Sequence, residues 1–248
     1  MSPTDPAADG PTLEAVLRAL EPRRPTAGPF VLGITGAVAA GKSVFAAQLR
    51  GALAATGART EIVHTDGFLM TNTRLAELGL TDRKGFPESY DHAALAAALA
   101  AVRQGPTDFP AYSHITYDVD PALTRRIDPP DVLIIEGLAL RRPETGPASL
   151  LDALIYIDAE EADLEAWYVE RFLGFWEAAE DDPASFYARF RHMDREAVTN
   201  LARLVWDQVN LKNLREHIIA ARPLADLVVR KGPDHAIVAL HPSAPAAA

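Results

Sequence analysis

An α/β fold, with a mainly parallel sheet flanked by helices, is what this sequence predicts, and three observations predict it. Short apolar runs rich in Val and Ile alternate with longer segments of helical period, the pattern of βαβ units. The chain has 248 residues, enough to bury most of its unfolded surface around one core. It has no cysteine, which removes disulfide frameworks, cysteine-ligated zinc, iron–sulfur clusters and thiol nucleophiles together.

Residues 1–29 are rich in Pro, Ala and Gly and read as a mobile arm carrying one short amphipathic helix from Leu13 to Leu20. The folded domain is expected over 30–241. Its strands are expected at 30–35, 60–65, 132–136, 153–158 and 225–230, each too short for a typical helix. Helices are expected at 43–56 and 91–104, closed by Gly57 and Gly105. Asp158, with Glu161 three positions on, offers a capping pair for a long helix through Trp167, Tyr168, Arg171 and Phe175. Residues 242–248 contain Pro242 and Pro245, have nothing to pack, and read as a disordered tail.

Lys and Arg number 24 against 34 Asp and Glu, a formal charge of −10. Such a field repels polyanions, so neither nucleic acid nor an anionic membrane is an expected partner, and any phosphate site must be local. The N-terminus has no basic, apolar leader, and no apolar run approaches the about 20 residues that cross a bilayer, so a cytoplasmic protein is expected.

One such local site is visible. Gly36-Ala37-Val38-Ala39-Ala40-Gly41-Lys42-Ser43 fits G-x-x-x-x-G-K-[ST], directly after the first strand and before good helix formers. The glycines let the backbone curl so that its N–H groups converge on phosphate oxygens, and the following helix adds its positive dipole end. Lys42 would neutralise the β- and γ-phosphates and Ser43 would hold Mg²⁺. The fold class narrows to the P-loop NTPase fold, with ATP as co-substrate.

Two further strands end in carboxylates, Asp66 and Glu136, where open α/β sheets bind their ligands. Glu136 follows consecutive apolar residues and suits an acid that orients metal or metal-bound water. Asp66 suits a general base that takes the proton of an attacking alcohol. Asp66-Gly67 also suits a plain turn, and the residues alone do not choose between the two.

From the loop through Thr65-Asp66-Gly67-Phe68, Lys84–Asp91, Tyr112-Ser113-His114-Ile115-Thr116-Tyr117-Asp118, Ile134–Leu138, Trp167–Phe172, Trp206–Asn210 and Lys231–His235, the chain resembles the bacterial type I pantothenate kinases, within the phosphoribulokinase/uridine kinase group of P-loop kinases. The resemblance covers about residues 30–238. It implies ATP-dependent phosphorylation of pantothenate, with Asp66 as base and Arg171 steadying the migrating group. It further implies that Tyr112, His114, Tyr117, Tyr168, Arg171 and Asn210 form the acceptor pocket, that Lys231 and His235 contact the adenine end of ATP, and that the protein is a homodimer. Without it, Arg171 reads as an exposed cation over an aromatic stripe, His114 as an ordinary hydrogen-bonded loop histidine, and Asn210 equally as a mid-helix residue with a compensating contact or as solvent-exposed. A kinase of another small alcohol, such as a nucleoside or sugar derivative, and a non-catalytic ATP-binding module are the rival readings.

The chain departs from the family pattern in three places. Only 35 residues precede Gly36, where the family carries a longer region that touches nucleotide. Ala47 stands where members inhibited by coenzyme A have a basic residue, which predicts weak feedback inhibition. Ala139 stands where the family commonly has Asn.

Overall fold

The computed structural model describes residues 10–138, 140 and 150–243, so Ala139 lies outside the described residues. A six-stranded sheet has the order β2-β5-β1-β6-β7-β8. Its members are β1 (Phe30–Gly36), β2 (Thr60–His64), β5 (Val132–Glu136), β6 (Ala153–Asp158), β7 (Leu227–Lys231) and β8 (Ile237–Pro242). All pairs are parallel except β7 with β8. Strand β1 is buried along its whole length between β5 and β6, which is why its residues run apolar instead of alternating. The chain leaves β1 at the sheet's centre and turns into α2 (Lys42–Ala54), so the loop Gly36–Ser43 sits at the carboxyl ends of the strands.

Two expectations about the chain's periphery are corrected. Helix α1 (Leu13–Leu20) is docked, not mobile: Thr12 caps it, and Val16 and Leu20 are buried in the main core against α2 and β7. The amphipathic face that identified this helix needs burial, and the core provides it. Pro242 and Ser243 are also ordered. Strand β8 pairs antiparallel with β7 up to Leu227 opposite Pro242, and the Ser243 amide donates to the Asp226 carbonyl at 2.9 Å. An edge strand tolerates a terminal proline because one side of its backbone needs no partner. Residues 244–248 lie outside the described ones.

Helix α5 (Glu161–Ala178) starts without the expected cap. Glu160 is its first flanking residue and makes no side-chain cap bond. Asp158 remains in β6 and pairs instead with Arg222 at 3.1 Å and Arg230 at 3.0 Å.

The remaining elements place the cleft walls. Helices α3 (Asn72–Glu77) and α4 (His92–Ala101) follow β2, and Asp91 caps α4 through the Ala94 amide at 2.8 Å. Strands β3 (Thr107–Ser113) and β4 (Asp118–Ile127) then form a separate antiparallel hairpin. Helices α6 (Arg195–Val205) and α7 (Leu211–Glu216) are joined by a π-helical turn, Trp206–Asn210. Among the described residues no helix is long and apolar enough to cross a membrane.

Candidate active site

The loop between β1 and α2 has the backbone a phosphate cradle needs. Gly41 is left-handed (φ +76°), and a Cβ there would lie 2.7 Å from the Lys231 ammonium. Ala39 is also left-handed (φ +66°) despite its Cβ, a strained state of the kind that collects at functional sites. Lys42 Nζ donates to the carbonyls of Gly36 (3.2 Å) and Ala37 (2.8 Å). Burial pushes the Lys42 ammonium down, while the charges of Glu136 and Asp66 push it back up.

Glu136, at the end of β5, is buried. Its Oε1 accepts both the Ser43 hydroxyl at 2.6 Å and Nδ1 of His64 at 2.5 Å. Burial opposes ionisation of this carboxyl, but the His64 hydrogen bond and the Lys42 charge hold it below its usual value. The same bond raises His64 above the ordinary histidine range against the pull of burial.

Asp66 lies in a 3₁₀ turn that follows β2, so the turn expected from Asp-Gly forms. Its carboxylate nevertheless lines the cleft with Lys42 and Ser43, and Oδ1 accepts the Tyr90 hydroxyl at 3.1 Å. The fully buried Tyr90 phenol is pushed well up, first by desolvation and then by the Asp66 charge.

A single cleft of about 790 Å³ holds Val38, Ala39, Gly41, Lys42, Ser43, His64, Asp66, Tyr112, His114, Glu136, Arg171 and His235. Of the expected acceptor residues, Asp66, Tyr112, His114 and Arg171 line it. Tyr117, Tyr168 and Asn210 form a layer behind. The Tyr117 ring stacks on Phe186 at 4.2 Å and meets Tyr112 edge-on at 5.9 Å. Tyr168 packs on Trp206 at 5.7 Å, interacts with Asn210 through its hydroxyl, and is pushed up to about 12 by burial. The π turn carries Asn210 on the segment that begins at the buried Trp206.

The expected pair Lys231 and His235 separates. His235 lines the cleft, stacked on Trp167 at 4.0 Å. Lys231 lies behind the phosphate loop, its buried ammonium donating to Ala40 O (3.1 Å) and Gly41 O (3.4 Å). A buried cation needs acceptors, and the loop carbonyls supply them, so Lys231 braces the loop and is not a cleft residue.

Sequence reasoning passed over four contributors. His64 sat inside an apolar run and drew no role. Tyr90 and Lys84 belong to the Lys84–Asp91 stretch, whose length is the available signal. Lys84 Nζ donates to Tyr117 O and Asn72 Oδ1, each at 2.6 Å, and lies 4.9 Å and 4.7 Å from the ring centres of Tyr112 and Tyr117. Phe175, read only as part of a helix face, stacks on His114 (6.5 Å) and Tyr187 (5.1 Å) and lines the cleft.

The arrangement places cationic and backbone donors at one end of a cleft and an aromatic box at the other, with carboxylates between them in chemistry. The chain is similar to known proteins. The pantothenate kinases of Brucella ovis and Brucella melitensis are each 41% identical over 222 residues, covering 84% of this chain and 69% of theirs. A solved structure from Silicibacter sp. TM1040, named for a fructose transport system kinase, superposes with a TM-score of 0.71 at 28% identity, over 88% of this chain and 99% of that one. A structure from Bacillus stearothermophilus named for uridine kinase has a TM-score of 0.57 at 18% identity, over 87% and 94%, and shares the P-loop fold. The phosphoribulokinase/uridine kinase family profile matches residues 31–171, and with the Brucella relatives this establishes that the chain belongs to that family of P-loop kinases.

Proposed function

We propose that this kinase transfers the γ-phosphoryl group of ATP to the primary hydroxyl of pantothenate, giving 4′-phosphopantothenate, the first step of coenzyme A biosynthesis. One structural observation carries the chemistry: Asp66 lines the same cleft as Lys42 and Ser43, so a base and a phosphate cradle share one space. The Brucella relatives carry the choice of acceptor.

In this reading the loop amides and Lys42 hold the triphosphate. Asp66 takes the proton of the acceptor hydroxyl as its oxygen bonds to the γ-phosphorus and the bond to the β-phosphate oxygen breaks. Arg171 steadies charge on the migrating group. Tyr112 and His114, backed by Tyr117, Tyr168 and Asn210, hold the acceptor, and His235 with Trp167 lies toward the nucleotide base. Most of the acceleration comes from positioning.

The donor set also fits magnesium. Ser43 and Glu136 present hard oxygen atoms 2.6 Å apart in the cleft. Magnesium keeps several waters and phosphate ligands and so needs only one or two oxygen ligands from the protein. Ser43 and Glu136 would hold it, directly or through water, and it would neutralise phosphate charge. A homodimer, suggested by the family resemblance, is tested by sedimentation.

A second reading, a sugar kinase, draws on the Silicibacter likeness. Acceptor-dependent ADP release, measured with pantothenate, uridine and fructose side by side, separates the readings. Pantothenate should be the preferred acceptor; turnover of fructose or uridine without pantothenate discards it. Absence of ADP with every acceptor would instead leave an ATP-binding module.

A further inference from the structure

His64 and Glu136 are direct register partners in the parallel pair β2–β5, at the carboxyl ends of both strands. Neighbours at matched positions point to the same face of a sheet, so the two side chains meet without any distortion of the backbone. The imidazole is half exposed to the cleft, while the carboxylate it bonds is almost wholly buried, with side-chain exposures of 52% and 6%. Both hydrogen bonds to that carboxylate converge on one oxygen. Oε1 takes Ser43 Oγ and His64 Nδ1, and Oε2 receives no hydrogen bond from the described residues. A carboxylate held by one oxygen from two directions cannot rotate freely, and its second oxygen is committed to a fixed direction.

We propose that His64 is a positioning residue for the phosphate end: its Nδ1–H, donated to Glu136 Oε1, fixes the carboxylate against Ser43 and so determines how strongly the magnesium complex of the nucleotide is preferred over free nucleotide. This rests on the reading of Ser43 and Glu136 as the metal-holding pair. His64 touches neither nucleotide nor acceptor in this role; it acts through Glu136. The local sequence offers no substitute donor, because the flanking Val63 is apolar and the Thr65 hydroxyl bonds nothing of Glu136.

The test is calorimetric affinity for a nonhydrolysable ATP analogue, with magnesium and with chelator, in the full chain. His64→Ala and His64→Gln should weaken binding of the magnesium complex about tenfold or more, as outer-shell substitutions do, and leave metal-free binding unchanged. The unchanged arm reports that the loop is still folded. His64→Asn, whose amide N–H lies close to the position of Nδ1, should recover most of the loss. Three results would overturn the inference: magnesium-dependent binding kept in His64→Ala, equal losses with and without metal, or no recovery in His64→Asn. A wild-type protein that binds both forms alike would overturn the metal-site reading together with the inference, so the two failures are distinct.

Discussion

Two of the histidines that line the cleft, His64 and His114, are pushed in opposite directions. His64, at the phosphate end, is raised by its hydrogen bond to Glu136. His114, at the acceptor end, is lowered because burial disfavours its charged form, and the charges of Asp66 and Arg171 act on it in opposite senses. Identical side chains thus report two different media. The phosphate end is a lattice of ions and backbone dipoles, in which Lys42, Glu136, Ser43 and His64 are each other's partners. The acceptor end is an aromatic box in which His114, Phe175 and Tyr187 stack and the Lys84 ammonium lies against the rings of Tyr112 and Tyr117. Substitutions at the first end should therefore lower turnover with every acceptor, and those at the second should alter which acceptor is used.

The largest expected effect lies where the two ends meet. Asp66→Asn should lower kcat by about 10²–10⁴-fold, the range of general acid–base contributions, with nucleotide affinity nearly unchanged. A matching loss of nucleotide binding would make Asp66 part of the phosphate lattice. Lys42→Ala comes next: removing charge-assisted contacts should weaken nucleotide binding about tenfold to a hundredfold and lower turnover with every acceptor. If turnover fell with one acceptor and not another, the division of the cleft would be wrong.

The same division explains what the sequence disclosed. The phosphate end is one contiguous stretch, Gly36–Ser43, between an apolar strand and a helix, and its chemistry follows from local backbone needs. The strands β1, β5 and β6 were legible because a buried parallel sheet writes them as unbroken apolar runs. The acceptor end comes from β3, the turn before β4, α5 and the segment around Phe186, which no short pattern links. The β3–β4 hairpin escaped notice because Pro110 interrupts one strand at a register shift and the other exposes residues 121–126. Family resemblance named Tyr112 and His114. It could not show that Lys231 faces the loop's back, since that depends on where a buried ammonium finds acceptors. His64 carried no signal as a lone polar residue at the end of β2; only its register against Glu136 gave it a partner.

Phe175→Ala tests the acceptor end by itself. Phe175 stands between His114 and Tyr187, and aromatic pairs contribute about 0.5–1.5 kcal/mol beyond burial, so the acceptor KM should rise by roughly twofold to tenfold. The KM for ATP should not move. Steady-state kinetics with each substrate varied in turn measures both, and an equal rise in the two would mean that the box extends to the nucleotide.

The smallest expected effect sharpens the contrast between the histidines. His114 has its folded-state pKa below the unfolded value of about 6.5, so between those two values the unfolded chain binds more protons than the folded one. Stability attributable to keeping His114 neutral is full above about pH 6.5 and is lost as the pH falls through this window. His114→Gln removes that dependence while retaining a polar side chain. Urea unfolding at pH 7.5 and 5.5 should show wild type losing more stability on acidification than the variant does. The direction decides the matter: equal losses would mean that the aromatic wall leaves His114 as well solvated as an unfolded chain does, and the acceptor end would then be no drier than the phosphate end.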